Sequence, residues 1–147
     1  MPAKPCWATE KVPKRARLVA TGTSGHGSVP RIDNAVVHLG TAVGKVGAWE
    51  TPMQLNETTR VYFERLASIS PPDKAARYRA LLDTQRAKEV QRYLAENEPN
   101  IYSMLRTSVV PTMLKAGVGA NVIPSEAEAT LDIRAMPGTD ISEFYDE

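Results

Sequence analysis

The sequence has a single cysteine and lacks a long apolar run. Cys6 is the only cysteine among 147 residues, so neither an intrachain disulfide nor a cysteine-based zinc site can form. No uninterrupted apolar run approaches the roughly 20 residues of a membrane span, and the N-terminal residues lack the apolar core of a signal peptide. We therefore expect a soluble, cytoplasmic protein with no membrane partner.

An excess of charge and a set of stacking aromatics are missing as well. Lys and Arg number 18 against 17 Asp and Glu, which gives a net charge of +1, and aromatic residues make up 6% of the chain. Proteins that bind RNA on a sheet need a basic surface and exposed aromatic side chains. We therefore expect no nucleic-acid partner. The hydrophobic fraction of 42% is ordinary for a globular domain.

Alternating hydrophobic residues predict strands towards both ends of the chain. Residues 15–21 form one such run, with residues 6–12 as a shorter partner and a proline-containing turn at 11–14 between them. Residues 104–115 form a longer run, in which Pro111 indicates an edge or a bulge. Residues 126–134 alternate cleanly, which predicts a half-buried antiparallel strand with one polar face.

Apolar residues with helical spacing occur in the rest of the sequence. After Pro30 the apolar residues are spaced four, three, four and three apart, which is typical of one face of an amphipathic helix: Ile32, Val36, Leu39, Val43 and Val46. Three glycines interrupt this helix, and close packing against a sheet would explain them: Gly40, Gly44 and Gly47.

A helical insertion is predicted at about residues 49–99, beginning with a face formed by Tyr62, Leu66 and Ile69. The order of strands and helices indicates an α+β protein with a single sheet and helices on one face. The last helix start, at residues 141–145, looks cut short, so we expect an excised domain rather than a whole protein.

Residues 22–30 (Gly-Thr-Ser-Gly-His-Gly-Ser-Val-Pro) are the stretch whose residue types say most about a possible functional site. The glycine spacing does not fit a dinucleotide fingerprint, and no lysine stands where a phosphate-binding loop needs one. His26 lies on this turn between strand and helix, where the backbone can direct an imidazole outward. On spacing alone, a surface loop histidine remains the simpler interpretation.

Two polar residues near the C-terminus are further candidates. Asn121 lies in a flexible glycine turn and carries both a donor and an acceptor. Arg134 ends the alternating strand on its polar face, where a guanidinium can bind a carboxylate bidentately. A turn asparagine and a surface arginine paired to an acid are the alternatives.

Several short motifs in a fixed order carry a resemblance to a known family. They are Gly25-His26-Gly27-Ser28-x-Pro30, Asn34-Ala35-Val36, Asn121-Val122-Ile123-Pro124 and Asp132-Ile133-Arg134-x-x-Pro137-Gly138. Together they resemble the dimerisation (lid) domain of the dinuclear zinc metallopeptidases, a family that includes aminoacylases, carboxypeptidase S, glutamate carboxypeptidase and succinyl-diaminopimelate desuccinylase.

The resemblance implies a ferredoxin-like lid with a four-stranded sheet, which pairs with a second copy through a sheet edge and a helix. It implies that His26 stabilises the oxyanion of amide hydrolysis, often in the active site of the partner subunit. Asn121 and Arg134 would bind a peptide or N-acyl amino acid, Arg134 through its carboxylate. The two zinc ions would belong to a separate catalytic domain of the parent protein.

The sequence also departs from the complete family pattern. The metal-ligand motifs and the closing strand of the lid are not found, so we expect residues 1–147 to be a lid domain that binds no metal and is inactive by itself. The insertion at about 49–99 exceeds a minimal lid and indicates a larger, carboxypeptidase-like subgroup. A free-standing α+β binding or regulatory module is the alternative function.

Overall fold

The computed structural model describes residues 10–83 and 85–146. The chain divides into two compact units. The sheet unit comprises Val12–Thr51 and Ser108–Ala135, and the helical unit is built on Pro52–Thr107 and includes the C-terminal helix. Every residue singled out as a functional candidate lies in the sheet unit.

The sheet unit contains a three-stranded antiparallel sheet and a two-stranded ribbon. The strands are β1 (Val12–Thr21), β2 (Gly25–His26), β3 (Ser108–Ala116), β4 (Val122–Ile123) and β5 (Glu126–Ala135). The sheet has the order β1-β5-β3, and β2 pairs with β4 in the ribbon. Three strands of the expected sheet are present among the described residues, and the fourth strand and the ferredoxin-like topology stay predictions. The ribbon was not predicted.

One helix covers one face of the sheet. Helix α1 (Ala35–Ala48) begins after Asn34, whose side chain accepts a hydrogen bond from the Val36 N–H. On β5 the predicted alternation is confirmed, since Ala127, Ala129, Leu131 and Ile133 are all buried. Ala35 and Leu39 of α1 pack against Ala127 and Ala129. The α+β class is therefore confirmed.

Several details of the sheet unit differ from the prediction. β1 already begins at Val12, so the turn expected at residues 11–14 is wrong. Pro13 is tolerated because β1 pairs with β5 alone among the described strands and needs no second ladder. Ile32 was expected on the apolar face of the helix, but it precedes α1 and is 99% exposed. The reason is that Asn34 caps the helix, so α1 begins only after the first residue of the apolar stripe. Most of the short strand expected at residues 6–12 lies outside the described residues.

The structure tests two expectations, one for Pro111 and one for the glycines of α1. The ladder between β3 and β5 shifts register between Pro111 and Met113, so the predicted bulge is confirmed. A Cβ added at Gly40, Gly44 or Gly47 would meet nothing within 4 Å. The expectation that these glycines pack against the sheet is therefore wrong.

The helical unit surrounds a separate apolar core. Its helices are α2 (Glu57–Ile69), α3 (Pro72–Ala80), α4 (Ala87–Asn97), α5 (Pro99–Ser103) and α6 (Ile141–Tyr145). Its buried core consists of Phe63, Ala67, Ala75, Tyr78, Leu81, Leu94 and Leu105. On α2 the buried face is Phe63 and Ala67, whereas Ile69 is 81% exposed. The predicted stripe was offset because helical spacing fits both faces, and only packing chooses between them.

Polar side chains complete the helical unit at the end of α4. The Tyr78 hydroxyl donates a 2.8 Å hydrogen bond to Glu98 Oε2, and Arg77 lies 3.6 Å from the other carboxylate oxygen. Burial, followed by the hydrogen bond to Glu98, raises the pKa of Tyr78 to about 12. None of the helices formed by residues 10–83 and 85–146 has the length and apolar character needed to span a bilayer.

Candidate functional site at the glycine–histidine turn

The turn that carries His26 is anchored where β1 ends. The Gly22 N–H donates a 2.9 Å hydrogen bond to the Ser125 carbonyl oxygen, just before β5 begins. A Cβ on Gly22 would lie 1.8 Å from the Asp33 carbonyl oxygen and 2.9 Å from the Ala35 nitrogen. Only glycine therefore allows β1 to pass this close to the start of α1.

The β2–β4 ribbon brings His26 beside Asn121. His26 pairs with Val122, and Gly25 pairs with Ile123. The Gly27 N–H donates a 2.7 Å hydrogen bond to the Asn121 carbonyl oxygen. Both His26 and Asn121 are exposed. Two of the three candidate residues are thus neighbours at one end of the sheet unit, with their side chains open to a ligand.

The His26 imidazole is held by the residue two positions later. Its Nδ1 lies 2.8 Å from Ser28 Oγ, and the Ser28 N–H donates to the same Nδ1 at 3.2 Å. The Val29 N–H donates to the His26 carbonyl oxygen at 2.9 Å. Ser28 belongs to the sequence motif around His26, but the motif does not show that the two side chains are in contact. That contact is formed only in the folded turn.

Asp33 supports the turn just before α1 begins. Asp33 Oδ2 accepts a 3.0 Å hydrogen bond from the Thr23 N–H, and Asp33 Oδ1 lies 3.3 Å from Arg31 Nε. The hydrogen bond to the Thr23 side chain is the largest cause that lowers the pKa of Asp33, with the Thr23 backbone and Arg31 also contributing. Asp33 thus holds the turn, whereas the neighbouring Asn34 caps α1.

A shallow groove lies next to the turn. It has a volume of about 490 Å³ and is lined by Gly27, Pro30, Arg31, Val36, Val37 and Val122 among others. Most of these side chains are apolar, and Arg31 is already paired with Asp33. The groove therefore offers hydrophobic contact close to the exposed imidazole.

Arg134 lies at the opposite end of the sheet. It pairs with Pro13 on β1 and with Ser108 on β3, and its Nε donates a 2.8 Å hydrogen bond to Asp132 Oδ2. Eight residues separate Glu126 from Arg134, which at about 3.4 Å per residue is roughly 27 Å. The structure therefore does not bring Arg134 to His26 and Asn121 within one chain.

A metal site is not formed by this part of the chain. Within residues 10–83 and 85–146, no three or more His, Cys, Asp or Glu side chains are grouped so that they could hold an ion. His26 and Asp33 are each engaged by neighbouring residues of the turn. The described residues therefore do not fit a zinc site of their own.

One family model covers almost the whole chain. Residues 9–147 match the family model described as the peptidase dimerisation domain. The chain belongs to the peptidase dimerisation domain family. The match takes in both the sheet unit and the helical unit, so the helices between α1 and β3 are part of the matched region.

Two curated proteins are similar to nearly the whole chain. It is 33% identical over 141 residues to "Probable carboxypeptidase S-like 2" of Dictyostelium discoideum, covering 94% of this chain and 26% of that protein. It is 30% identical over 143 residues to "N-fatty-acyl-amino acid synthase/hydrolase PM20D1" of Homo sapiens, covering 94% of this chain and 27% of that protein. The chain therefore spans about a quarter of the length of these relatives.

Proposed function

We propose that this chain is the dimerisation and substrate-lid domain of a zinc-dependent amidohydrolase or carboxypeptidase. His26 donates a hydrogen bond to the oxyanion that forms when an amide carbonyl is attacked, and Asn121 and Arg134 bind the substrate. The metal ions and their ligands belong to a catalytic domain outside these 147 residues. The family match and the names of the two relatives support this class of reaction.

The observation that carries the proposal is the separation of the candidate residues along β5. His26 and Asn121 lie beyond the Glu126 end, and Arg134 lies near the other end, roughly 27 Å along the strand from Glu126. In a C-terminal residue or an N-acyl amino acid, the amide carbonyl that is attacked and the free carboxylate are only about one residue, or about 3.5 Å, apart. One copy therefore cannot supply both contacts. In a two-fold dimer, however, the His26 end of one copy can meet a site that uses the Arg134 of the other copy. The geometry thus favours a site shared between subunits.

The open edge of the sheet supplies a surface for the second copy. β3 pairs with β5 on one side only among the described strands. Leu114 pairs with Ala129, so its side chain is on the face that α1 covers, yet it is 68% exposed. Val37 on α1 is 59% exposed, and the helix glycines meet nothing. An unpaired strand edge beside an uncovered helix is a surface that a second copy can cover.

Leu114→Lys is expected to weaken self-association about 30-fold. The two-fold axis doubles the effect, because each dimer loses two buried leucine contacts worth about 1 kcal/mol each. Sedimentation or light scattering over a dilution series measures the dissociation constant. Ile69→Lys is the matched control, since Ile69 is an equally apolar, 81% exposed residue of the helical unit. A dimer that both variants leave equally strong would contradict the β3 edge as the interface.

Arg134→Ala in the complete enzyme is expected to raise KM about tenfold to 100-fold with a smaller change in kcat. A charged hydrogen bond to a substrate carboxylate is present before and during the reaction, so its loss weakens binding of both states. Steady-state kinetics measures the effect. Arg17→Ala, at another exposed arginine of the sheet unit that is paired with an acid, Glu128, is the control. If KM is unchanged in Arg134→Ala, Arg134 serves only its ion pair with Asp132.

A further inference from the structure

The two contacts between Ser28 and His26 determine more than the position of the ring. Both the Ser28 hydroxyl, at 2.8 Å, and the Ser28 backbone N–H, at 3.2 Å, are directed at Nδ1. A backbone N–H can only donate a hydrogen bond. The nitrogen that receives it must therefore carry a lone pair, and the neutral imidazole must keep its proton on Nε2.

The backbone around the ring keeps both donors in place. The Gly27 N–H is bonded to the Asn121 carbonyl oxygen, and the Val29 N–H is bonded to the His26 carbonyl oxygen. The Ser28 peptide lies between these two hydrogen bonds, so its own N–H is fixed relative to the ring. The hydroxyl shares the same lone pair in a three-centre arrangement.

We propose that Ser28 is a positioning residue that holds His26 as the Nε2–H tautomer and directs this N–H outward as a hydrogen-bond donor. A neutral donor directed away from the turn is the group that an oxyanion needs. The catalytic value of this arrangement rests on the proposed function above. The tautomer itself does not, because Ser28 selects it whether or not a reaction follows.

Nitrogen-15 NMR of the 147-residue chain tests the tautomer directly. The chain contains two histidines, so His38→Gln assigns the signals of His26 without touching the turn. At about pH 8.5 an ordinary imidazole is neutral, and long-range correlations distinguish a protonated ring nitrogen from one with a lone pair. We expect Nε2 of His26 to be protonated and Nδ1 to resonate as a hydrogen-bond acceptor. A protonated Nδ1 in the wild-type chain would overturn the proposal without need of any variant.

Variants separate the contribution of the hydroxyl from that of the turn. In Ser28→Ala the Nδ1 resonance should move towards that of a free lone pair and the ring should become more mobile, whereas Ser28→Thr should restore the wild-type spectrum. Ser24→Ala removes another exposed serine of the same turn and should change neither property. An Nδ1 resonance that is unaltered in Ser28→Ala would show that the hydroxyl does not act on His26.

Kinetics of the complete enzyme then separates the positioning role of Ser28 from the oxyanion role of His26. Losing one neutral hydrogen bond to the ring should lower kcat about threefold to tenfold in Ser28→Ala and leave KM unchanged, with Ser28→Thr and Ser24→Ala near wild type. If His26→Ala lowers kcat but Ser28→Ala does not, the positioning role is wrong and the proposed function stands. If the tautomer is as expected but His26→Ala is fully active, the proposed function is wrong and the tautomer assignment stands.

Discussion

Replacing His26 by alanine in the complete enzyme is expected to lower kcat by about 100-fold to 1,000-fold and to leave KM within about threefold. Removing a single donor to a developing oxyanion has an effect of this size. The oxyanion exists only in the transition state and in the tetrahedral intermediate, so the substrate loses little binding when the donor is removed. Steady-state kinetics together with the metal content of the purified enzyme measures both parts of the prediction.

The metal content of the variant is the control for this result. His26 is exposed and engaged by Ser28 within its own turn, so its removal should leave the bound metal unchanged. His38→Ala removes the chain's other histidine, which is exposed on α1, and should leave kcat unchanged. A loss of metal in His26→Ala would contradict the oxyanion role and make His26 a ligand.

Mixed dimers decide whether His26 acts in the site of the other subunit. If one site uses His26 from one copy and Arg134 from the other, a dimer of a His26→Ala chain with an Arg134→Ala chain contains one site with both defects and one with neither. At substrate concentrations well below the wild-type KM, where a KM defect lowers the rate, its activity should recover to about half of wild type. If both residues come from the same copy, every site carries one defect, and the activity at this low substrate concentration should stay below about one tenth of wild type. The roughly 27 Å between the two ends of β5 makes recovery the expected result.

Replacing Gly22 by alanine is expected to lower the free energy of unfolding by about 3 kcal/mol or more. The new Cβ would lie 1.8 Å from the Asp33 carbonyl oxygen and 2.9 Å from the Ala35 nitrogen. Both atoms belong to the backbone, so no side-chain rotation can relieve the collision, and overpacking of this kind costs more than a misplaced flexible side chain. Urea unfolding followed by circular dichroism measures the change.

The same substitution at another glycine supplies the control with the opposite sign. Gly44 lies within α1, and a Cβ there would meet nothing within 4 Å. Gly44→Ala should therefore stabilise the chain by about 0.5–1 kcal/mol through helix propensity, provided that dilute protein is used so that self-association does not contribute. A Gly22→Ala chain as stable as wild type would contradict the close approach of β1 to the start of α1.

The elements with a clear hydrophobic period were predictable from the sequence. The alternation on β5 and the bulge at Pro111 are both present, because a half-buried strand must repeat every two residues and proline cannot continue a ladder. Where two stripes had equal spacing, as on α2, the sequence could not choose between them.

The candidate site shows the same division. The types and order of His26, Asn121 and Arg134 were readable from the sequence, and the sequence by itself was enough to indicate the family that the comparison confirms. That His26 and Asn121 meet across a ribbon of two short strands, while Arg134 lies at the far end of β5, depended on strand pairing between residues distant in the chain. The lone pair on Nδ1 of His26 likewise follows from the folded turn, because only there do the Ser28 N–H and hydroxyl converge on one atom. Sequence determines which groups are available, and hydrogen bonds between distant segments decide which of them can act together.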